Sequence, residues 1–376
     1  MSTAANSPVQ PLPTPLAELH RQTGATLGSW FGCELPDDFG DWLEEYHHFR
    51  QGVALLDKNY RAYLDFTGPD RVRYLNAILT NNIKDLRENH GVVSLFLNPQ
   101  GHIQAEIETY ALPDKLFCIS YAAIRDSLIP ALDKYIIMDD VTLTDRTAGF
   151  ATLALEGPKA ALVTEELTGI ALTDLAELET RLVTVQSIPC RLGKRSPGGT
   201  ASAEFLVDVA HAEPLWKILE QASRKHGGAP AGYTALSALR LELGEAWFTY
   251  DFGDKQIPHE AGLQASHISY TKGCYTGQEI VERVRSRGQV NRVRVTLQYG
   301  LASTGGPAIP GCALPAPNTP LLSDGKEVGH TTRAAYSPSL QAPIGMGYVR
   351  REKSTSGSVL QLPDGSPATV ISTPIA

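Results

Sequence analysis

The run Lys272-Gly273-Cys274-Tyr275-Thr276-Gly277-Gln278-Glu279 sets a thiol, a cation, two glycines, an amide and a carboxylate within eight residues. Neither a core strand nor an amphipathic helix needs that mixture. Glycine opens backbone geometries closed to other residues, and a cation near a cysteine favours the thiolate. The segment reads either as a shaped turn poised for thiol chemistry or as a surface loop with an incidental cysteine; loops carry function disproportionately often. Just beyond it, Arg283, Arg285 and Arg287 fall at i, i+2 and i+4, the spacing of one strand face. Ser286-Arg287-Gly288-Gln289 would turn that strand and return Arg292 and Arg294 beside it. Such a ridge would meet a carboxylate tail or a phosphate; the alternative is a solvated strand face. A third candidate is Glu242, set between apolar neighbours in Arg240-Leu241-Glu242-Leu243-Gly244. A buried carboxylate needs a donor. Either Arg240 or another arginine supplies it, or a heterocycle does that presents N–H and NH2 side by side, as a pterin does.

These groups must be held by a framework, and the pattern of apolar residues outlines one. One or two helical stretches lie between Leu16 and Phe49. Tyr60 to Phe66 alternates with period two, the mark of a strand, and Gly68-Pro69-Asp70 leads from it into a helix. The same unit returns: Ala151 to Leu155 is a short apolar strand, followed by Glu156-Gly157-Pro158-Lys159 and a second helix. Strand, Gly-Pro, helix occurring twice predicts an internally duplicated α+β domain rather than a doubly wound parallel sheet. Val92–Leu97 and Ile103–Leu112 form a hairpin around Asn98-Pro99-Gln100-Gly101. Beyond Val290 proline and glycine become dense and short alternating runs replace helices, which predicts a small C-terminal β-barrel or sandwich. The expected division is a disordered lead-in over 1–15, a main domain over 16–292 and a barrel domain over 293–376.

The chain of 376 residues carries a formal net charge of −8, which gives no global attraction to nucleic acid or to an anionic membrane. No apolar run approaches the ~20 residues of a transmembrane helix, and the first fifteen residues have the features of neither a secretory signal nor a transit peptide. The five cysteines are scattered without a CxxC pair, so neither a disulfide framework nor a cysteine-rich metal site is expected, and a reducing cytoplasm fits. Cys118 reads as a buried strand residue; Cys274 alone has polar, glycine-rich neighbours. Dinucleotide, P-loop, zinc-protease and serine-hydrolase signatures are missing.

Taken together, these residues resemble the YgfZ-type folate-binding family, relatives of the glycine-cleavage T-protein (aminomethyltransferase). Lys272 to Glu279 fits that family's Lys-Gly-Cys-aromatic-x-Gly-Gln-Glu signature at each fixed position. Phe66-Thr67-Gly68-Pro69-Asp70, Glu156-Gly157-Pro158, Ile257-Pro258-His259-Glu260-Ala261-Gly262-Leu263 and Ile344-Gly345-Met346-Gly347-Tyr348-Val349 fit the T-protein background over about residues 30 to 350. The resemblance implies a T-protein-like fold around a central channel that takes tetrahydrofolate. It implies a pterin held on Glu242, Lys272 with Arg283 and Arg285 near the glutamate tail, Tyr275 stacking on the pterin or packing the turn, and Cys274 as the reactive group. It also implies a role in assembly or repair of iron–sulfur clusters in client enzymes. One departure stands out: where T-proteins carry an Asp-Asp pair, this chain has Ala105-Glu106, and a displacement of an acid by about 1 Å can cost ~100-fold. Classical aminomethyl transfer is therefore not expected. The rivals are a folate-dependent aminomethyltransferase or N-methyl demethylase, in which Glu106 would be essential, and a non-catalytic scaffold with a vestigial folate pocket.

Overall fold

The computed structural model describes residues 10–300 and 313–375, apart from the Arg287 side chain; Cys312 lies outside the described residues. The twice-repeated strand–Gly-Pro–helix pattern marks two copies of one topology. In the first copy the strand Arg61–Thr67 leads into the helix Arg71–Ile78. A meander of Gly91–Leu97, Ile103–Ala111 and Leu116–Tyr121 follows, then the helix Arg125–Asp133 and the strand Thr142–Asp145. In the second copy Phe150–Glu156 leads into Ala160–Thr168. The meander is Thr180–Val185, Ile188–Arg195 and Ser202–Asp208, and the helix Ala212–Lys225 ends at the short strand Ala229–Pro230. In each sheet the last meander strand pairs with the first strand of its copy, antiparallel. The copies differ at one place: in the second, Ala54–Asp57 is inserted beside Phe150–Glu156, so that sheet has six strands and the first has five.

Gly68 and Gly157 occupy the same point in the two copies, with φ of +95° and +127°. A Cβ on Gly68 would lie 2.2 Å from the Asp140 carbonyl oxygen, and one on Gly157 would lie 2.8 Å from that of Gly52. Both turns therefore need glycine for backbone conformation and for space.

Strand alternation gives each sheet two faces. In the first, Leu64 and Phe66 join Leu75, Ile107 and Cys118 in a core under the helices. In the second, Leu153, Phe205 and Trp216 do the same. The opposite faces look at each other across a seam, where Tyr63 and Thr152 share a hydrogen bond of 2.6 Å between their hydroxyls. Helix Tyr233–Glu242 closes one end of the seam.

The C-terminal unit is a closed barrel in the order Arg292–Tyr299, Ala342–Arg350, Lys326–Ser337, Pro320–Ser323, Val359–Gln361 and Pro367–Ile371. It begins at Arg292, within the range expected for the main domain. Arg333 fastens it: the guanidinium meets buried Asp251 at 2.8 Å and lies 3.9 Å from the centre of the Trp247 ring.

Two expectations need correction. The stretch containing Arg283, Arg285 and Arg287 is the helix Gln278–Arg287, not a strand, and the strand Arg292–Tyr299 pairs with Ala342–Arg350 and Pro367–Ile371. The expected N-terminal helical stretches are Ala17–Gln22 and Trp42–Gln51, with a hairpin Thr26–Trp30/Cys33–Asp38 between them. Finally, residues 10–15 of the expected disordered lead-in are fixed, because Leu12 exchanges backbone hydrogen bonds with Gly32 and Glu34; residues 1–9 lie outside the described residues. Among the described residues no helix is long and apolar enough to cross a membrane.

Candidate functional site

The seam between the sheets opens into a cavity, of which about 100 Å³ is open to a water-sized sphere. One wall is aromatic: Phe31, Tyr60, Tyr121, Tyr233 and Trp247 line it, with Phe31 stacked on Tyr60 at 4.3 Å and Tyr60 on Tyr121 at 5.5 Å. The other carries charge from Lys58, Arg61, Glu106, Glu108, Arg195, Arg240 and Glu245.

The charged wall is ordered from below. Glu204, on the strand Ser202–Asp208, accepts from Lys58 Nζ at 2.5 Å and from both terminal nitrogens of Arg61 at 2.6 and 2.9 Å. Burial alone would push its carboxyl up; Arg61 and Lys58 more than reverse this and hold it well below the ordinary range. Glu108 pairs with Arg195 at 2.9 Å and accepts from the Tyr110 hydroxyl. These pairs fix their own geometry and leave little spare hydrogen-bonding capacity.

Other groups keep capacity free. Arg240 gives one terminal nitrogen to Glu156 at 2.6 Å, while its Nη1 is buried without a partner. Glu245 Oε2 also has no hydrogen-bond partner; its nearest charge is Arg240 Nε at 3.4 Å. Burial pushes the Glu245 carboxyl above its ordinary value. Orphaned buried polar atoms are rare in folded proteins, and these two belong to residues lining the cavity. An aromatic wall for a flat heterocycle, a carboxylate with a free oxygen and a guanidinium with a free nitrogen fit a pterin-like group.

Glu106 comes from the strand Ile103–Ala111, whose alternation turns Ala105 into the core and Glu106 to the cavity. The alanine at the position where an acid pair was expected is thus a packing residue, and an acid is present where the cavity needs one. Glu106 accepts from the Tyr121 hydroxyl at 2.8 Å and meets His267 Nε2 at 3.0 Å. Burial works against its charge, but His267, Tyr121 and Arg195 outweigh this and hold its carboxyl below the ordinary value.

The residues singled out in the sequence lie elsewhere. Glu242 is fully buried and does not line the cavity. Its carboxylate accepts from the hydroxyls of Tyr46, Ser337 and Ser339 and from the Ser339 backbone N–H, at 2.5 to 3.2 Å. It joins the helix Tyr233–Glu242 to the barrel and has no lone pair left for a pterin, so that assignment is corrected. Lys272 donates to the carbonyls of Asn76, Leu79 and Asn81 at the end of the helix Arg71–Ile78. Burial brings its ammonium down to about 8. Tyr275 is buried among Leu95, Leu97, Ile103 and Val281 and packs the turn. Cys274 is exposed and does not line the cavity. Arg283 pairs with Glu279 on its own helix, and Arg285 with Glu282, its guanidinium 4.3 Å from the Tyr270 ring centre. Helical geometry turns Arg285, at i+2, away from the face that carries Arg283, so the ridge does not form.

Sequence reasoning passed over Lys58, Arg61, Glu108, Arg195 and Glu245. The signal for two of the cavity carboxylates was present: Gln104, Glu106 and Glu108 alternate with Ala105 and Ile107, so the polar set shares one face.

A duplicated α/β unit with a charged, aromatic-walled cavity and a C-terminal barrel defines the structural class. Residues 16–268 match the GCVT N-terminal domain and residues 307–375 the glycine cleavage T-protein C-terminal barrel domain; the chain belongs to this T-protein family. It is 26% identical over 349 residues to an aminomethyltransferase of Streptomyces avermitilis, covering 93% of this chain and 92% of that protein. It is 28% identical over 365 residues to one of Rubrobacter xylanophilus, covering 96% and 93%. Among solved structures, the glycine cleavage system aminomethyltransferase T of Bartonella henselae shares the fold, with a TM-score of 0.84, 22% identity and coverage of 97% and 98%.

Proposed function

We propose that this protein binds a reduced folate in the cavity between the two sheets and moves a one-carbon unit between an amine and that folate, as an aminomethyltransferase or an N-methyl demethylase does. Glu106 carries the reading: it is a carboxylate on the cavity wall, hydrogen-bonded to Tyr121 and His267, in a family whose curated relatives are named aminomethyltransferases. The bound folate supplies the nitrogens that accept the one-carbon unit. The aromatic wall takes the flat ring. Glu245 takes the role first sought at Glu242, accepting adjacent N–H and NH2 groups, and Arg240 Nη1 donates to a ring oxygen or nitrogen. Glu106 holds or receives the proton exchanged at the amine. The test is turnover of a methylamine-type donor with tetrahydrofolate. Glu106→Gln is expected to lose activity by ~100-fold or more, the scale of a general acid–base group, while still binding tetrahydrofolate. Equal turnover by the variant removes Glu106 from the reaction.

A second reading rests on Cys274, the exposed cysteine among the described residues, carried on a turn anchored by Lys272 and Tyr275. In it the protein is a YgfZ-type accessory factor of iron–sulfur cluster assembly or repair, and the thiol meets a client protein or its cluster. Cys274→Ala in a deletion strain would then fail to restore client enzymes while leaving folate affinity intact; full restoration rejects this reading.

A further inference from the structure

Behind the cavity wall, Glu106 belongs to an unbroken hydrogen-bonded chain that ends at the protein surface. Its Oε1 meets His267 Nε2 at 3.0 Å, and His267 Nδ1 meets the Ser266 hydroxyl at 2.7 Å. His267 is buried and lies outside the cavity, whereas Ser266 is exposed. On the inner side Glu106 Oε2 accepts from Tyr121, itself a cavity-lining residue. Both ends of the histidine's backbone are fixed: its N–H donates to the Leu263 carbonyl, and its carbonyl accepts from the buried Thr80 hydroxyl at 2.6 Å.

We infer that His267 is a positioning residue for Glu106 and a proton relay between that carboxylate and solvent. The inference rests on the reading of Glu106 as the cavity's acid–base group. With Glu106 ionised, His267 donates Nε2–H to Oε1 and accepts the Ser266 hydroxyl proton at Nδ1. One proton from water reaches Ser266 Oγ as its own proton passes to Nδ1. The Nε2 proton then passes to Glu106. The chain ends with a neutral carboxyl and the Nδ1–H tautomer donating to Ser266. The reverse sequence releases one proton, so none is created or lost. The carboxylate thereby exchanges protons while ligand fills the cavity mouth and excludes water from that side.

The groups facing this chain are few. Glu106, Tyr121, Arg195 and Glu108 come from the two sheets, and the Lys272 ammonium is held on the carbonyls of Asn76, Leu79 and Asn81. Histidine is the side chain whose two nitrogens suit such transfer near neutral pH.

The test uses the full chain. His267→Gln can still donate to Glu106 but cannot relay. Its turnover with tetrahydrofolate should fall ~100-fold with KM for tetrahydrofolate unchanged, the pH profile should lose its histidine-dependent limb, and added imidazole should restore part of the rate. Ser266→Ala should lose less, because water can replace the hydroxyl. A wild-type rate and pH profile in His267→Gln overturns the relay. An independent readout is the 15N spectrum of the His267 ring: its Nε2–H resonance should move when the acceptor is removed in Glu106→Leu. An unchanged spectrum overturns the inference whatever the turnover. Intact coupling in a protein that turns over no amine instead rejects the reaction proposed for Glu106 and leaves the coupling standing.

Discussion

The cavity between the sheets and the turn Lys272–Glu279 divide the chemistry of this chain unequally. The turn is the richer in its sequence, yet its charged groups are used in fastening, Lys272 on three carbonyls and Glu279 on Arg283, while Tyr275 packs into the core with its hydroxyl unpartnered. The cavity is spelled by residues scattered from Phe31 to Trp247, and it keeps a carboxylate oxygen and a guanidinium nitrogen without hydrogen-bond partners. A dense motif can be an anchor, and spare capacity in a buried place is the better mark of a binding site.

The contrast between Glu242 and Glu245 can be broken most sharply. Glu242→Ala strands donors from Tyr46, Ser337 and Ser339 at the barrel interface, so chemical denaturation should show a loss of about 3 kcal/mol, with tetrahydrofolate affinity of the folded protein unchanged. Weakened binding without destabilisation would return the pterin to Glu242. On the turn, Lys272→Met removes the charge that caps the helix Arg71–Ile78, and stability should fall by about 2 kcal/mol. The alkylation rate of Cys274 should not change; a large drop would mean that Lys272 does activate the thiol. The smallest effect concerns pH. Glu106 has a folded carboxyl held below its ordinary value of 4.5. The stability it contributes is therefore complete above that value and lost as pH falls through the lower, folded one. Below about 4.5 the wild type should lose stability with acidification more steeply than Glu106→Gln; parallel acid limbs would mean that His267 and Tyr121 do not stabilise the charge.

Much of the framework was legible because it rests on local patterns. The Gly-Pro turns at 68 and 157 sit between an alternating strand and a helix, and the duplicated topology follows from them. The terminal barrel was legible in its proline, glycine and short alternating runs. The helix Gln278–Arg287 was misread because the arginine spacing drew attention away from Ile280, Val281 and Val284, whose apolar spacing is helical. The hairpin at Thr26–Asp38 offers no strong alternation. Glu242 and Glu245 could not be told apart in the sequence, since each follows apolar residues near a helix end. What separates them is tertiary: the helix stops at Glu242 against the barrel, and Gly244, at φ +72°, turns the chain toward the seam. Lys58 and Arg61 meet Glu204 from 146 and 143 residues away, a proximity no local pattern carries.

The central claim is that ligand recognition lives in the seam and not in the cysteine turn. Calorimetric titration of the purified protein with tetrahydrofolate, comparing wild type, Glu245→Ala and Cys274→Ala, tests it most directly. Glu245→Ala should weaken binding by ~10-fold or more, as expected for loss of a buried charge-assisted hydrogen bond, and Cys274→Ala should bind as the wild type does. Wild-type affinity in Glu245→Ala together with lost binding in Cys274→Ala would contradict it.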